Sequence, residues 1–205
     1  MAAPYNGQMK GLAAGIILVM LAWYVIDDHQ HSRHAPGVLT PSEPYQRLIG
    51  GGVPWQEGIH KFTPLADFHL QARVLSTESY WLDHGSEISP LDLAVGWGPM
   101  SDQAVLDEIS MSQGRRWYRF WPRHQKMPIS GDDITQHSAN IHTIPATPQI
   151  KKQLRALREG DIVELDGSLV EVQWPDGARW TSSLSRTDTG NGACELMWIR
   201  SVAVR

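Results

Sequence analysis

The fold turns on REGDIVELDGSLVEV, residues 158–172. Val163 and Leu165 alternate with Ile162, Glu164 and Asp166, the period of a strand that puts one face in a core. Asp166-Gly167 is a tight-turn dipeptide, and Leu169 opens a further strand that runs to Trp174, so the spacing predicts a hairpin. Just before it, Thr147-Pro148 opens QIKKQLRALRE, where Ile150, Leu154 and Leu157 share one helical face and Gly160 follows the end. Beyond it, Pro175-Asp176-Gly177 marks a turn, residues 178–184 read as a strand, and a last strand runs from about Glu195 to the C terminus.

Such a run of short, twisted strands tends to close into a small barrel, because closure removes exposed edges. Residues 158–172 resemble the opening hairpin of OB-like or SH3-like barrels. Upstream, Phe68, Leu70, Ala72 and Val74 recur at period two and a second apolar stretch covers Tyr80 to Leu82, which predicts two strands. SDQAVLDEI, residues 101–109, follows a capping serine with Val105, Leu106 and Ile109 on one face, a short helix. A second helix is expected from Ser130, with Asp132 and Asp133 at the positive end of its dipole, as far as the region before Pro145. The expected class is α+β: an N-terminal transmembrane helix, then a β-rich domain over residues 62–205 with an OB-like or SH3-like small barrel and about three short helices.

The 205 residues, 41% hydrophobic and 20% charged, suit one core of ordinary size, or one domain plus an anchor. A formal charge of -4 argues against coating nucleic acid along the whole surface, which needs a cationic footprint. The single cysteine, Cys194, excludes a disulfide framework and a cysteine-built zinc cluster, and it reads as a small buried hydrophobe. Residues 11–26 carry no charge and lie between Lys10 and Asp27. At ~1.5 Å per residue they cover ~24 Å, enough to span a bilayer with little to spare. Trp23 and Tyr24 stand where a signal peptide would need small residues, so an uncleaved single-pass anchor is expected. Residues 1–10 would then be a short cytoplasmic tail and 27–61, rich in Gly, Pro, His and Ser, a tether. DDHQHSRH, residues 27–34, offers carboxylates and imidazoles without fixing a tetrahedral geometry, and reads as a solvated spacer.

GRRWYRFWPRH, residues 114–124, packs arginines and aromatic rings together. As a strand it puts Trp117, Arg119 and Trp121 on one side and Arg116, Tyr118 and Phe120 on the other. The structural reading has the large rings filling the core while arginines stack over rings. The functional alternative makes Arg115, Trp117, Arg119 and Trp121 a binding row for a glycan, peptide or lipid headgroup. His137 and His142 are the candidate catalytic histidines; their spacing is not that of a helical metal-binding pair, though His69, His84 or Asp133 brought near by folding would change that. Asp188-Thr189-Gly190 matches the triplet of aspartic proteases, but the apolar strand before it and a second copy are absent. Asp188 therefore reads as part of a glycine-rich connection. No phosphate loop, nucleophile elbow or carboxylate pair occurs, and neither a cofactor nor a metal ligand set is expected.

WGPMSD (97–102), SANIH (138–142) and TDTGNGACE (187–195) together resemble a group of uncharacterised bacterial membrane-anchored proteins. The resemblance covers most of the chain after the tether and implies a bacterial envelope protein with one folded unit, without supplying catalytic residues. The expected function is that of an inner-membrane protein whose periplasmic β-rich domain binds a protein or an envelope polymer. Its partners would be the membrane, through the N-terminal helix, and that ligand; nucleic acid is not expected. The alternative is a membrane-anchored hydrolase, metal-dependent or not, whose best catalytic candidates are His137, His142 and Asp188.

Overall fold

In the computed structural model, which describes residues 15, 32–50, 52–185, 187, 188, 190 and 192–205, the decisive stretch is one unbroken strand, Ile162–Gln173. Asp166-Gly167 lies inside this strand and not at a turn. Gly167 faces Phe68 on one neighbouring strand and Ile199 on the other. A β-carbon on it would stand 2.0 Å from the Trp198 carbonyl oxygen. The glycine serves close backbone approach, the second use of glycine in a strand.

In chain order the strands are β1 Tyr45–Leu48, β2 Trp55–Glu57, β3 His60–Ser79, β4 Leu91–Gly96, β5 Ile109–Gly114, β6 Trp117–Pro122, β7 Ser138–Pro145, β8 Ile162–Gln173, β9 Arg179–Thr181 and β10 Glu195–Val204. A 3-10 turn at Gly98–Ser101 precedes α1 Gln103–Leu106; α2 is Gly131–Gln136 and α3 is Pro148–Ala156. β3 pairs antiparallel with both β8 and β4, changing partner near Arg73. β4 pairs antiparallel with β7, β7 parallel with β10, and β10 antiparallel with β8. The hydrogen-bonded ladder thus returns to its start through β3, β4, β7, β10 and β8. Register shifts at Pro64/Ala66 and Val74/Ser76 bend the long β3 so that it serves two neighbours.

Phe68, Leu70, Leu93, Ile141, Leu165, Leu169 and Met197, one per alternate position of the five strands, form the main core. Helix α3 adds Ile150 and Leu154 to it. Thr147 caps that helix by accepting from the Ile150 amide, with Pro148 at its first turn, as the sequence indicates. β5 and β6 form a separate two-stranded ribbon, packed over a second core of Leu75, Ala94, Met100, Ile109 and Ile134.

The expected class needs correction. Among the described residues the fold is mostly β, with 46% strand, 14% helix and three α-helices after residue 32, and no helix is long and apolar enough to cross a membrane. The anchor expected at residues 11–26 lies outside the described residues, apart from Gly15. The second helix stops at Gln136, because Ile141 enters the core while Asn140 and His142 face away from it, the alternation of strand β7. Residues 80–82 form no strand but open the loop after β3. In the helix expected over 101–109, Asp102 and not Ser101 is the cap, and Ile109 already belongs to β5. The stretch assigned to a tether contributes β1 and β2, and the Leu39 and Thr40 amides both donate to Ser101 Oγ.

Candidate functional site

Three segments converge beside the β4–β7 edge of the circuit: the loop of residues 80–90, the turn between β8 and β9, and the two-residue turn Arg115-Arg116 of the ribbon. They surround an open cleft of about 720 Å³ walled by Tyr80, Trp81, Trp174, Trp180 and the two arginines. Trp174 and Trp180 lie nearly parallel, 6.4 Å between centroids, and the His84 ring rests 5.0 Å from Trp174. Gly85 lets the loop lie flat on this floor, since a β-carbon there would meet Trp180 at 2.7 Å.

Arg115 and Arg116 both take positive φ, 53° and 67°, as a two-residue hairpin turn of the favoured twist requires. That conformation costs a non-glycine residue about 1–2 kcal/mol, and contacts of Arg116 offset it. Its amide donates to the Tyr80 hydroxyl at 2.9 Å, and its guanidinium lies 3.9 Å from that ring's centroid. Two nitrogens bond the Asp83 carboxylate at 2.7 and 3.0 Å, and a third reaches the fully buried Asp92 at 2.9 Å. Burial lifts the Tyr80 phenol to about 12, so its oxygen stays a neutral acceptor. Burial also tends to raise Asp83, but the Arg116 hydrogen bonds and charge outweigh it and hold the carboxyl below its usual range.

The ribbon's two faces differ sharply. Tyr118 and Phe120 turn inward onto the core beneath, and burial pushes the Tyr118 phenol well above its usual range. Trp117 and Trp121 turn outward, 37% and 46% exposed, with the exposed Arg119 between them. The expectation that the tryptophan rings fill the core is therefore corrected. Directly opposite them on β5 stand Gly114, Ser112 and Ser110, too small to cover the rings. Arg115 and Arg119 have no carboxylate partner among the described residues. Trp117, Arg119 and Trp121 thus lie on the outer face of β6, while Arg115 stands in the turn before it and lines the cleft.

A second cavity of about 320 Å³ opens on the other side of the ribbon's root, lined by Trp117, Asn140, Asp188, Cys194 and Glu195. Cys194 is half-buried there, with the Asn140 amide 3.8 Å from its sulfur and the Arg116 carbonyl at 3.9 Å. Burial, reinforced by nearby carboxylates, pushes its thiol up to about 11. Alkylation at pH 9 should accordingly be slow in the native protein and fast after denaturation, because the unfolded thiol returns to about 8.5. Native labelling as fast as that of the unfolded chain would contradict the placement. The sign for stability follows: the contribution is complete below the unfolded value and is lost as pH rises through about 11.

The three candidate catalytic residues have separate surroundings. His137 ends α2, its Nδ1 2.8 Å from the Asp133 carbonyl and its ring against Gly98. Asp188 is exposed and accepts from Ser183 Oγ at 2.6 Å. His142 is buried, with its ring 4.8 Å from Trp180. Its Nδ1 is 2.9 Å from Asp92 Oδ1 but out of line for a hydrogen bond. Among the described residues no group of three or more His, Cys, Asp or Glu is placed to hold a metal ion. Comparison with protein-family models, curated proteins and solved structures finds no match.

Sequence reading misses Asp92 and Asn140, which organise this region. Asp92 and His142 are register partners across β4 and β7, as are Ala94 and Asn140. The available signal was Asp92 itself: a carboxylate inside LDLAVG, an otherwise apolar run, must find a partner when the strand is buried.

Proposed function

We propose that the protein is a non-enzymatic binding module, an OB-like barrel that takes an acidic polysaccharide along the outer face of its ribbon and into the adjoining cleft. The observation that carries this reading is the outward row Trp117, Arg119 and Trp121, uncovered by its cross-strand neighbours. Strand geometry spaces these side chains by ~7 Å, so a ring can stack on each tryptophan while the guanidinium between them meets an acidic group. The strand order supports the barrel reading: an antiparallel β3, β4, β7 meander, a parallel β7–β10 pair, and return through β8. OB barrels receive oligosaccharides and oligonucleotides on the faces of their second and third strands and on the adjacent loops, here β4, β7 and the segments around the cleft. The envelope location expected from the sequence belongs to the same proposal, because acidic polysaccharides occur there. The hydrolase reading has less support, since its three residues share no contact and the nearby thiol is held protonated.

Titration with a soluble polyuronate at several salt concentrations tests the proposal. Trp117→Ala and Trp121→Ala should each weaken binding about tenfold while costing less than ~1 kcal/mol of stability, as exposed rings do. Arg119→Gln should weaken it and flatten the salt dependence. Phe120→Ala, on the inner face, should instead lower stability by a few kcal/mol, roughly 2–4. Unchanged polyuronate affinity in all three outward variants would remove the proposal.

A further inference from the structure

A patch where the 80–90 loop leaves β3 suits a different ligand. Trp81 and Leu82 stand adjacent there, 72% and 100% exposed. Neighbouring large apolar side chains in water mark a surface that something receives. The Arg155 guanidinium lies 5.6 Å from the Trp81 ring centroid, which joins the loop to the outer flank of α3. Helical spacing puts Lys151 and Lys152 one turn before Arg155 on that flank, while Ile150 and Leu154 face the core. Among the described residues none of these three cations has a carboxylate within ion-pair distance.

We propose that Trp81, Leu82, Lys151, Lys152 and Arg155 dock the domain onto a membrane surface that contains anionic lipid. Charge complementarity selects this occupant over an apolar protein groove, for three free cations would be desolvated without partners in such a groove. At a bilayer surface they keep their water and meet lipid phosphates, while the Trp81 ring sits at headgroup level and Leu82 enters the acyl boundary. The α3 apolar face is already buried in the core, so the helix contributes charge and the loop contributes the apolar insertion. This inference does not rest on the polysaccharide proposal, although Trp81 and Leu82 also line the cleft, so docking would hold the cleft's mouth close to the membrane.

Residues 33–205 form one compact unit that holds the whole main core, so this unit is used and the preceding apolar run cannot supply membrane binding. It should cosediment with phosphatidylcholine vesicles containing phosphatidylglycerol and far less with phosphatidylcholine alone. Leu82→Ser should weaken the vesicle affinity about tenfold. Lys151→Gln, Lys152→Gln and Arg155→Gln combined should weaken it roughly a hundredfold, at about fivefold per cation. Leu82, Lys152 and Arg155 are exposed and the half-buried Lys151 keeps its apolar stem as glutamine, so thermal melting should match that of the parent unit. Equal affinity for both vesicle types, no loss in either variant, or a Leu82-dependent dimer formed without vesicles would each overturn the proposal, the last by assigning the patch to a second copy of the chain.

Discussion

Arg116→Ala lowers the unfolding free energy by about 3–5 kcal/mol, because it leaves a buried carboxylate without its cation. Asp92 is fully buried on β4, and the Arg116 guanidinium is the one full positive charge of a lysine or arginine in contact with it among the described residues. The other contacts, from Asn140 at 3.5 Å and from the His142 ring, are too weak or too poorly aligned to replace it. The same substitution deletes the stacking on Tyr80 while leaving a side chain at positive φ, so the turn keeps its strain and loses what offsets it. Asp83→Asn is the informative control. Its carboxylate is 39% exposed and the pair is screened by water, so the cost should stay below ~1 kcal/mol. Urea unfolding of both variants measures the difference. If Arg116→Ala costs no more than Asp83→Asn, the ribbon is not latched through Asp92, and the cleft wall formed by the turn must be held in some other way.

That latch explains why part of this protein is legible in its sequence and part is not. α3 is announced by a local pattern, Thr147-Pro148 followed by Ile150 and Leu154, and local chemistry caps it. The alternation in Phe68, Leu70, Ala72 and Val74 likewise survives into β3, although that strand runs on for 20 residues because two bulges let it bend. By contrast β4 is hidden: LDLAVG is apolar throughout apart from Asp92, and a buried strand has no polar face to give it a period. The residues of β7 follow a good helix cap at Ser130, yet pairing with β4 and β10 overrides any continuation of that helix. For the ribbon, alternation separates the two faces of residues 115–121 but does not say which is inside, since both carry rings. The decisive information lies on the facing strand, where Ile109 and Met111 turn inward and Ser110, Ser112 and Gly114 stand opposite the tryptophans and Arg119.

Gly167→Asn separates the two meanings of Asp166-Gly167, and it should cost on the order of 3 kcal/mol or more. At a two-residue hairpin turn asparagine is among the best replacements for glycine, because it tolerates positive φ, and the change would be nearly neutral. Gly167, however, is not among the glycines with positive φ; it is an extended residue paired on both sides within β8. Any β-carbon there would meet the Trp198 carbonyl oxygen at 2.0 Å, backbone that cannot rotate away as a side chain would. Relief requires moving β10 relative to β8 next to the register shift between Ile199 and Ser201, which disturbs a ladder that closes the circuit. The penalty is therefore nonlocal: Gly167→Ala, with a single added carbon, should already show most of it, whereas Gly177→Asn, at a true turn with φ 90° and open space around it, should cost less than ~1 kcal/mol. Denaturant midpoints for the three variants rank the positions. A near-neutral Gly167→Asn would restore the hairpin, and with it a fold in which β8 does not run continuously between β3 and β10.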